Sequence, residues 1–386
     1  MKKLIEINSV FALVVFLFAG CSGSVNNKET KPIPTIKIAY TENSAYVDED
    51  LSLEILFENY ETTPKTVGIF SAENNENIAS NLSINDNKIT IRFTKSYYGK
   101  TITFYAKESD IESNQISLKF DGYCVDSSNL ETFMNSVENQ EIIKLRVKGE
   151  YETFKTQTSL FRNQNKKISL DLSKMTITST DENLFELCLG LESIILPDML
   201  NTISNNTFYR CEKLKNIKLP DSVTTIGEYA FESCYELQNI KLPSSLTSLG
   251  KFAFCRCTQF TKIDNIPSGI TVIPEGCFFS CMRVSEINLP TTIQIIEEKA
   301  FFDTFRVNIT PENQSIIIPD SITTIGKEGF GFMKDPSNLK NVYFMNKKGW
   351  NAGTKNISEE DLSNPSNAAT LLTITERNVV WTHSEQ

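Results

Sequence analysis

The chain has 386 residues, enough for two or three domains, and 38 Lys and Arg stand against 48 Asp and Glu for a formal charge of −10. That balance argues against nucleic acid as the main partner, because phosphate binding draws on clustered Lys and Arg. The single histidine, His383, lies three residues from the C-terminus. His-centred catalysis and His-rich metal sites are excluded on that count, and His383 itself is expected to be a frayed tail residue.

The chain opens with Lys2 and Lys3, an apolar stretch from Val10 to Phe18, and the small pair Ala19-Gly20 before Cys21. A basic start, a short apolar core and small residues before a cut describe an export signal over residues 1–20. The apolar run is about half the ~20 residues a spanning helix needs. "LFAGC" resembles the bacterial lipoprotein signal, with Phe18 where Leu is usual. The resemblance implies cleavage before Cys21, lipid on its thiol and attachment to the bacterial envelope, with the outer surface as the expected side. Membrane contact is then expected through that lipid only. Residues 21–32, "CSGSVNNKETKP", read as a flexible tether.

From 33 to 122 the apolar period is two. Ile36, Ile38 and Tyr40 alternate with polar residues, as do Leu51, Leu53, Ile55 and Phe57, then Ile89, Ile91 and Phe93. Ile102, Phe104, Ala106 and Ile116, Leu118, Phe120 continue the pattern. Alternation gives each strand one buried and one wet face. About seven short strands predict an immunoglobulin-like β-sandwich, without the paired Cys and Trp of antibody domains.

Residues 123–190 read as an N-terminal cap, with Ser127 as the N-cap of a helix carrying Leu130, Phe133, Met134 and Val137, followed by a degenerate first coil. Over 191–345 one sentence then repeats. "LESIILPDMLNTISNNTFYRC" starts at Leu191, "LKNIKLPDSVTTIGEYAFESC" at Leu214 and "LQNIKLPSSLTSLGKFAFCRC" at Leu237. Further copies start at Phe260 and Val284, with a stretched one at Ile316 and an opening "LKNVYF" at Leu339. The motif Phe falls at 185, 208, 231, 254, 278, 301 and 330. A 23-residue period with Leu-rich strands predicts a mainly β leucine-rich-repeat solenoid. Pro197, Pro220, Pro243, Pro267, Pro290 and Pro319 lack an N–H and mark the corner after the first strand. Residues 346–386, with Trp350, Leu371, Leu372, Ile374, Val379 and Trp381, are expected to cap the far end.

The core "LP-x-S-V-T-x-I-G-x-x-A-F-x-x-C" over about Ile168 to Phe344 resembles the BspA-type leucine-rich-repeat proteins of bacterial cell surfaces. The resemblance implies an exported, non-enzymatic binding protein. Members of that family are associated with adhesion to host matrix proteins and to other bacteria. The pattern departs at the 29-residue step, with an insertion near Arg306–Glu312, and the last copies lack the Cys.

Cys188, Cys211, Cys234, Cys257 and Cys281 each follow a motif Phe by three residues. Equivalent side chains of stacked coils point the same way, so these are expected to be buried thiols packing as small apolar groups rather than disulfides. Cys255, Cys277 and Cys281 offer thiolates for zinc, but their spacing lacks the paired CxxC pattern. No metal or other cofactor is expected.

The outward residues of each first strand line up across coils. Lys215, Asn216, Lys218, Asn239, Lys241 and Lys262 form the candidate partner-binding set, a basic stripe on a net acidic chain. Protein or glycan on host or bacterial surfaces is the expected partner. Exposed lysines on a sheet face also serve solubility alone. Two other readings stay open: an envelope hydrolase working through carboxylates, and a periplasmic scaffold.

Overall fold

The computed structural model describes residues 35–384, apart from 40–43, 48, 59–63, 65, 74–76, 86, 93–100, 109–110, 138–139, 163–165, 239, 306–314 and 333–338. The export signal, Cys21, the tether, Asn239 and the insertion near Arg306–Glu312 lie outside the described residues.

The N-terminal unit is built from β1 (Thr35–Ala39), β2 (Ser44–Val47), β3 (Asp50–Glu58), β4 (Thr66–Ser71), β5 (Asn77–Ser83), β6 (Lys88–Arg92), β7 (Thr101–Glu108) and β8 (Ile111–Asp126). β1, β3 and β6 form one antiparallel set. β5, β4, β7 and β8 form a second, and β2 runs parallel to β8. The period-two pattern does what it predicts: Ile36, Ile38, Leu51, Leu53, Ile55, Ile89 and Ile91 are buried from the first set. Val67, Ile69, Ala106 and Leu118 are buried from the second and belong to the same core.

β8 is sixteen residues long and crosses the expected boundary at 122. Most of it pairs with β7, but Tyr123–Asp126 pair in parallel with Leu145–Lys148 of β9 (Ile142–Lys148). β10 (Lys167–Asp171) and β11 (Leu191–Ile195) extend the same ladder. The two units therefore share a strand instead of being joined by a linker. The helix Leu130–Ser136 follows β8, with Leu130, Phe133 and Met134 buried. Ser127 is not its cap: a 3-10 turn over Ser127–Asn129 precedes the helix, and the Asp126 carboxylate accepts the Ser128 N–H at 3.0 Å.

Each later coil has three sides. The first carries Asn216–Lys218, Lys262–Ile263, Glu286–Ile287, Ser315–Ile318 and Asn341–Phe344 in parallel register. At the corner the Pro carbonyl accepts an N–H three residues on, as in Val223 to Pro220 at 3.1 Å, so proline ends the strand and also holds the turn. The second side carries two-residue strands such as Thr225–Ile226 and Ser248–Leu249. Glycine at the following position does not serve a left-handed backbone. A Cβ on Gly227 would meet Asn205 N at 2.7 Å, and one on Gly250 would strike the Gly227 backbone, so the residue sets how closely coils stack.

The third side turns twice through left-handed backbone, two residues before and two after the motif Phe, for instance at Tyr229 (φ 56) and Ser233 (φ 60). Between these turns Phe185, Phe208, Phe231, Phe254, Phe278, Phe301 and Phe330 stack with ring centroids 5.1–5.6 Å apart and planes within 15°. Each ring is buried, which contributes roughly 1.5–3 kcal/mol per side chain.

At the far end Trp381–His383 pairs antiparallel with Thr324–Ile325 and with Trp350–Ala352. Trp350, Trp381, Leu371 and Leu372 are buried, whereas Ile374 is exposed. His383 is not a frayed tail. Its N–H donates to Thr323 O at 2.8 Å, its ring lies 5.1 Å from Trp350, and Nε2 is 3.2 Å from Asn346 Nδ2. Among the described residues no helix is long and apolar enough to cross a membrane.

Candidate functional site: the outward face of the first side

Alternation decides what the first side shows to solvent. Ile194, Ile263, Ile287, Ile316 and Val342 point inward and are buried, so their neighbours on both sides point out. Register then aligns those neighbours into rows, because Ser193 faces Asn216, Ile195 faces Lys218, and Lys262 faces Glu286. With Ile263 facing Ile287, Ile287 facing Ile316 and Ile317 facing Tyr343, and the 23-residue repeat carrying the position from Lys218 through Lys241 to Asp264, one row reads Ile195, Lys218, Lys241, Asp264, Asn288, Ile317, Tyr343.

The candidate lysines divide by their partners. Lys215 lies 3.1 Å from Glu192 and 3.4 Å from Glu236, and Lys262 lies 2.9 Å from Glu286. Those hydrogen bonds, Glu192 first for Lys215 and Glu286 for Lys262, raise the pKa of each ammonium. Their charges are locally balanced. Lys218 and Lys241 are exposed and make no ion pair among the described residues. Asn216 is exposed beside Lys218.

The N-terminal unit closes one end of this face. Arg146 of β9 is 7% exposed; its Nε donates to Asp171 at 2.7 Å and its Nη1 to both oxygens of Glu49 at 2.6 and 2.8 Å. The Tyr46 ring covers the guanidinium at 4.1 Å, and Lys144 lies 5.2 Å from the same ring. The open face therefore begins beyond β10.

The thiols do not form a reactive site. Cys188, Cys211, Cys234, Cys257 and Cys281 are free and buried. Burial pushes the Cys188 thiol up to about 12 and raises Cys211, Cys234, Cys257 and Cys281 well above the ordinary thiol value. They are more than small apolar groups, because Cys234 Sγ donates to Phe208 O at 3.2 Å, and Cys211, Cys257 and Cys281 each do the same to the Phe one coil back. Among the described residues no group of three or more His, Cys, Asp or Glu is placed to hold a metal ion. A shallow trough on the second side, lined by Asn205, Glu228, Lys251 and Glu297, has its polar groups engaged in stacking. Asn205 Oδ1 takes the Glu228 N–H, Glu297 takes the Glu275 N–H, and Lys251 pairs with Glu275.

The sequence pattern singles out the polar members of the face and passes over Ile317 and Tyr343. Their signal is present in it, since each sits one residue after an inward apolar position where the repeat elsewhere writes Lys, Asp or Asn.

Three solved structures are similar in part. A leucine-rich-repeat protein of T. pallidum is 23% identical, with 42% of this chain and 73% of that one covered at a TM-score of 0.37. One from Bacteroides ovatus is 21% identical, covering 63% of this chain and 56% of that one at 0.38. A leucine rich cell surface protein of Faecalibacterium prausnitzii is 18% identical, covering 60% and 85% at 0.29. No curated protein gives a sequence match. The sequence profile of the BspA type leucine rich repeat region matches residues 80–214 and 178–310 in six copies. Those spans begin inside the N-terminal unit and stop short of the last two first-side strands, Ser315–Ile318 and Asn341–Phe344. This chain belongs to the BspA-type leucine-rich-repeat family.

Proposed function

We propose that this chain is a non-enzymatic binding protein of the bacterial cell surface. It is an adhesin held to the envelope by lipid on Cys21, and it contacts protein or glycan partners through the outward face of the first side. The observation that carries this reading is the pair Lys218 and Lys241. They occupy the same outward position on adjacent coils of a chain whose charge is −10. Two ammonium groups carried on rungs about 4.8 Å apart repel one another, and an anionic partner group relieves that repulsion. Residues 33–122 are read as an immunoglobulin-like sandwich that sets the solenoid off from the membrane. The pairing of β3 with both β1 and β6, and of β2 in parallel with β8, supports that reading.

The test is capture from matrix, serum and bacterial surface proteins by the wild-type chain and by Lys218→Glu/Lys241→Glu. The double variant is expected to lose partner by about tenfold or more, a size common for charge reversal at a desolvated contact. Unchanged capture would sink the proposal. Protease shaving of intact cells should release fragments of the chain; complete protection would favour a periplasmic scaffold. Turnover of glycans or peptides by the purified chain would favour the hydrolase.

A further inference from the structure

The row that carries Lys218 and Lys241 is apolar at both ends. Ile195, facing Lys218, is 52% exposed. Ile317 and Tyr343, facing each other, are 54% and 46% exposed, and Met345 just beyond is exposed as well. Core packing accounts for none of these, because the inward neighbours Ile194, Ile316 and Val342 already fill the interior. A wet strand face is ordinarily polar, and scattered exposed apolar residues are common. Here they share one row with the two exposed cations.

We propose that this row docks an extended polypeptide segment of a partner protein, apolar at both ends and acidic just inside the end that meets Ile195. The proposal rests on the face reading above and adds the chemistry of the partner. From Ile195 to Tyr343 the row spans about 29 Å at ~4.8 Å per coil, the reach of about nine extended residues. Carboxylates one and two coils in from the Ile195 end meet Lys218 and Lys241. Asp264, next in the row and exposed, repels negative charge beyond them and confines the anionic part to two coils. A sulfated or uronic glycan carries charge along its whole length, so it would meet Asp264, Glu286 and Glu192 on the same face. It would also leave Ile195, Ile317 and Tyr343 in water. A polypeptide complements both the charged stretch and the apolar ends.

A random peptide display library panned against the detergent-solubilised full chain reads this preference without assuming a sequence. Enriched peptides are expected to carry adjacent Asp or Glu between apolar residues. They should bind about tenfold more weakly to Lys218→Glu/Lys241→Glu and to Ile317→Ser/Tyr343→Ser, whose thermal unfolding should match wild type. Peptides with Lys in place of the acids should bind the charge-reversed variant. Enriched peptides without acids, or indifferent to both variants, overturn the proposal. Binding of a sulfated oligosaccharide that needs the two lysines, with no peptide enriched, overturns it while leaving the face reading intact. Capture of partners unchanged by the charge reversal removes both.

Discussion

Thr304 stands in the sixth coil where Cys188, Cys211, Cys234, Cys257 and Cys281 stand in earlier ones. Its hydroxyl donates to Phe278 O at 3.0 Å, the motif Phe carbonyl one coil back that the thiols also use. The position thus asks for a small buried donor, and sulfur chemistry is incidental to it. Cys234→Thr should cost less than about 1 kcal/mol, whereas Cys234→Ala should cost about 1–2 kcal/mol through the lost bond and the void. Denaturant unfolding of the two variants checks this, and equal losses would contradict it. The Cys positions and the Phe spine were legible because they recur at a fixed period. The donor role was not, since Cys also packs as a small apolar residue. Nor were the left-handed turns: Asn183 and Asn206 suit them, but Tyr229 and Phe252 occupy the same place two residues before the motif Phe.

Among the elements, β8 carries the most structural consequence, because it is both the last strand of the N-terminal unit and the first rung beneath β9. The sequence hid this: alternation is the same on either side of 122, and only pairing distinguishes a linker from a shared strand. Arg146 locks the junction between Glu49 and Asp171. Burial works against the Asp171 carboxylate, but the Ser173 hydrogen bonds and Arg146 outweigh it and hold its pKa below the ordinary value. A depressed folded pKa stabilises above the unfolded value of about 3.9 and loses that stabilisation as pH falls through the folded one. Melting temperature should therefore be steady from neutral pH to about 4 and fall below it, with Asp171→Asn flattening the acid limb. Arg146→Ala leaves two carboxylates facing each other and should cost about 3–5 kcal/mol, with a smaller loss for Arg146→Met. A loss near zero in urea unfolding would show that the junction is not held by this contact.

For the molecule as a whole, coil architecture was readable from period alone, because seven Phe positions and six Pro corners fix the winding, while the family was legible through the resemblance of the motif core. The balance of the basic stripe was not. It depends on which carboxylates reach Lys215 and Lys262 across coils, and those contacts span 21 to 24 residues in sequence. What remains exposed is a short cationic stretch, Lys218 and Lys241, just inside the Ile195 end of a row with apolar ends, walled at that end by Tyr46 and Arg146. Amide hydrogen exchange of the chain with a captured partner bound tests this most directly. The account predicts added protection on Leu191–Ile195, Asn216–Lys218 and Asn341–Phe344, with Thr225–Ile226 and Ser248–Leu249 unchanged. Protection confined to the second side would contradict it.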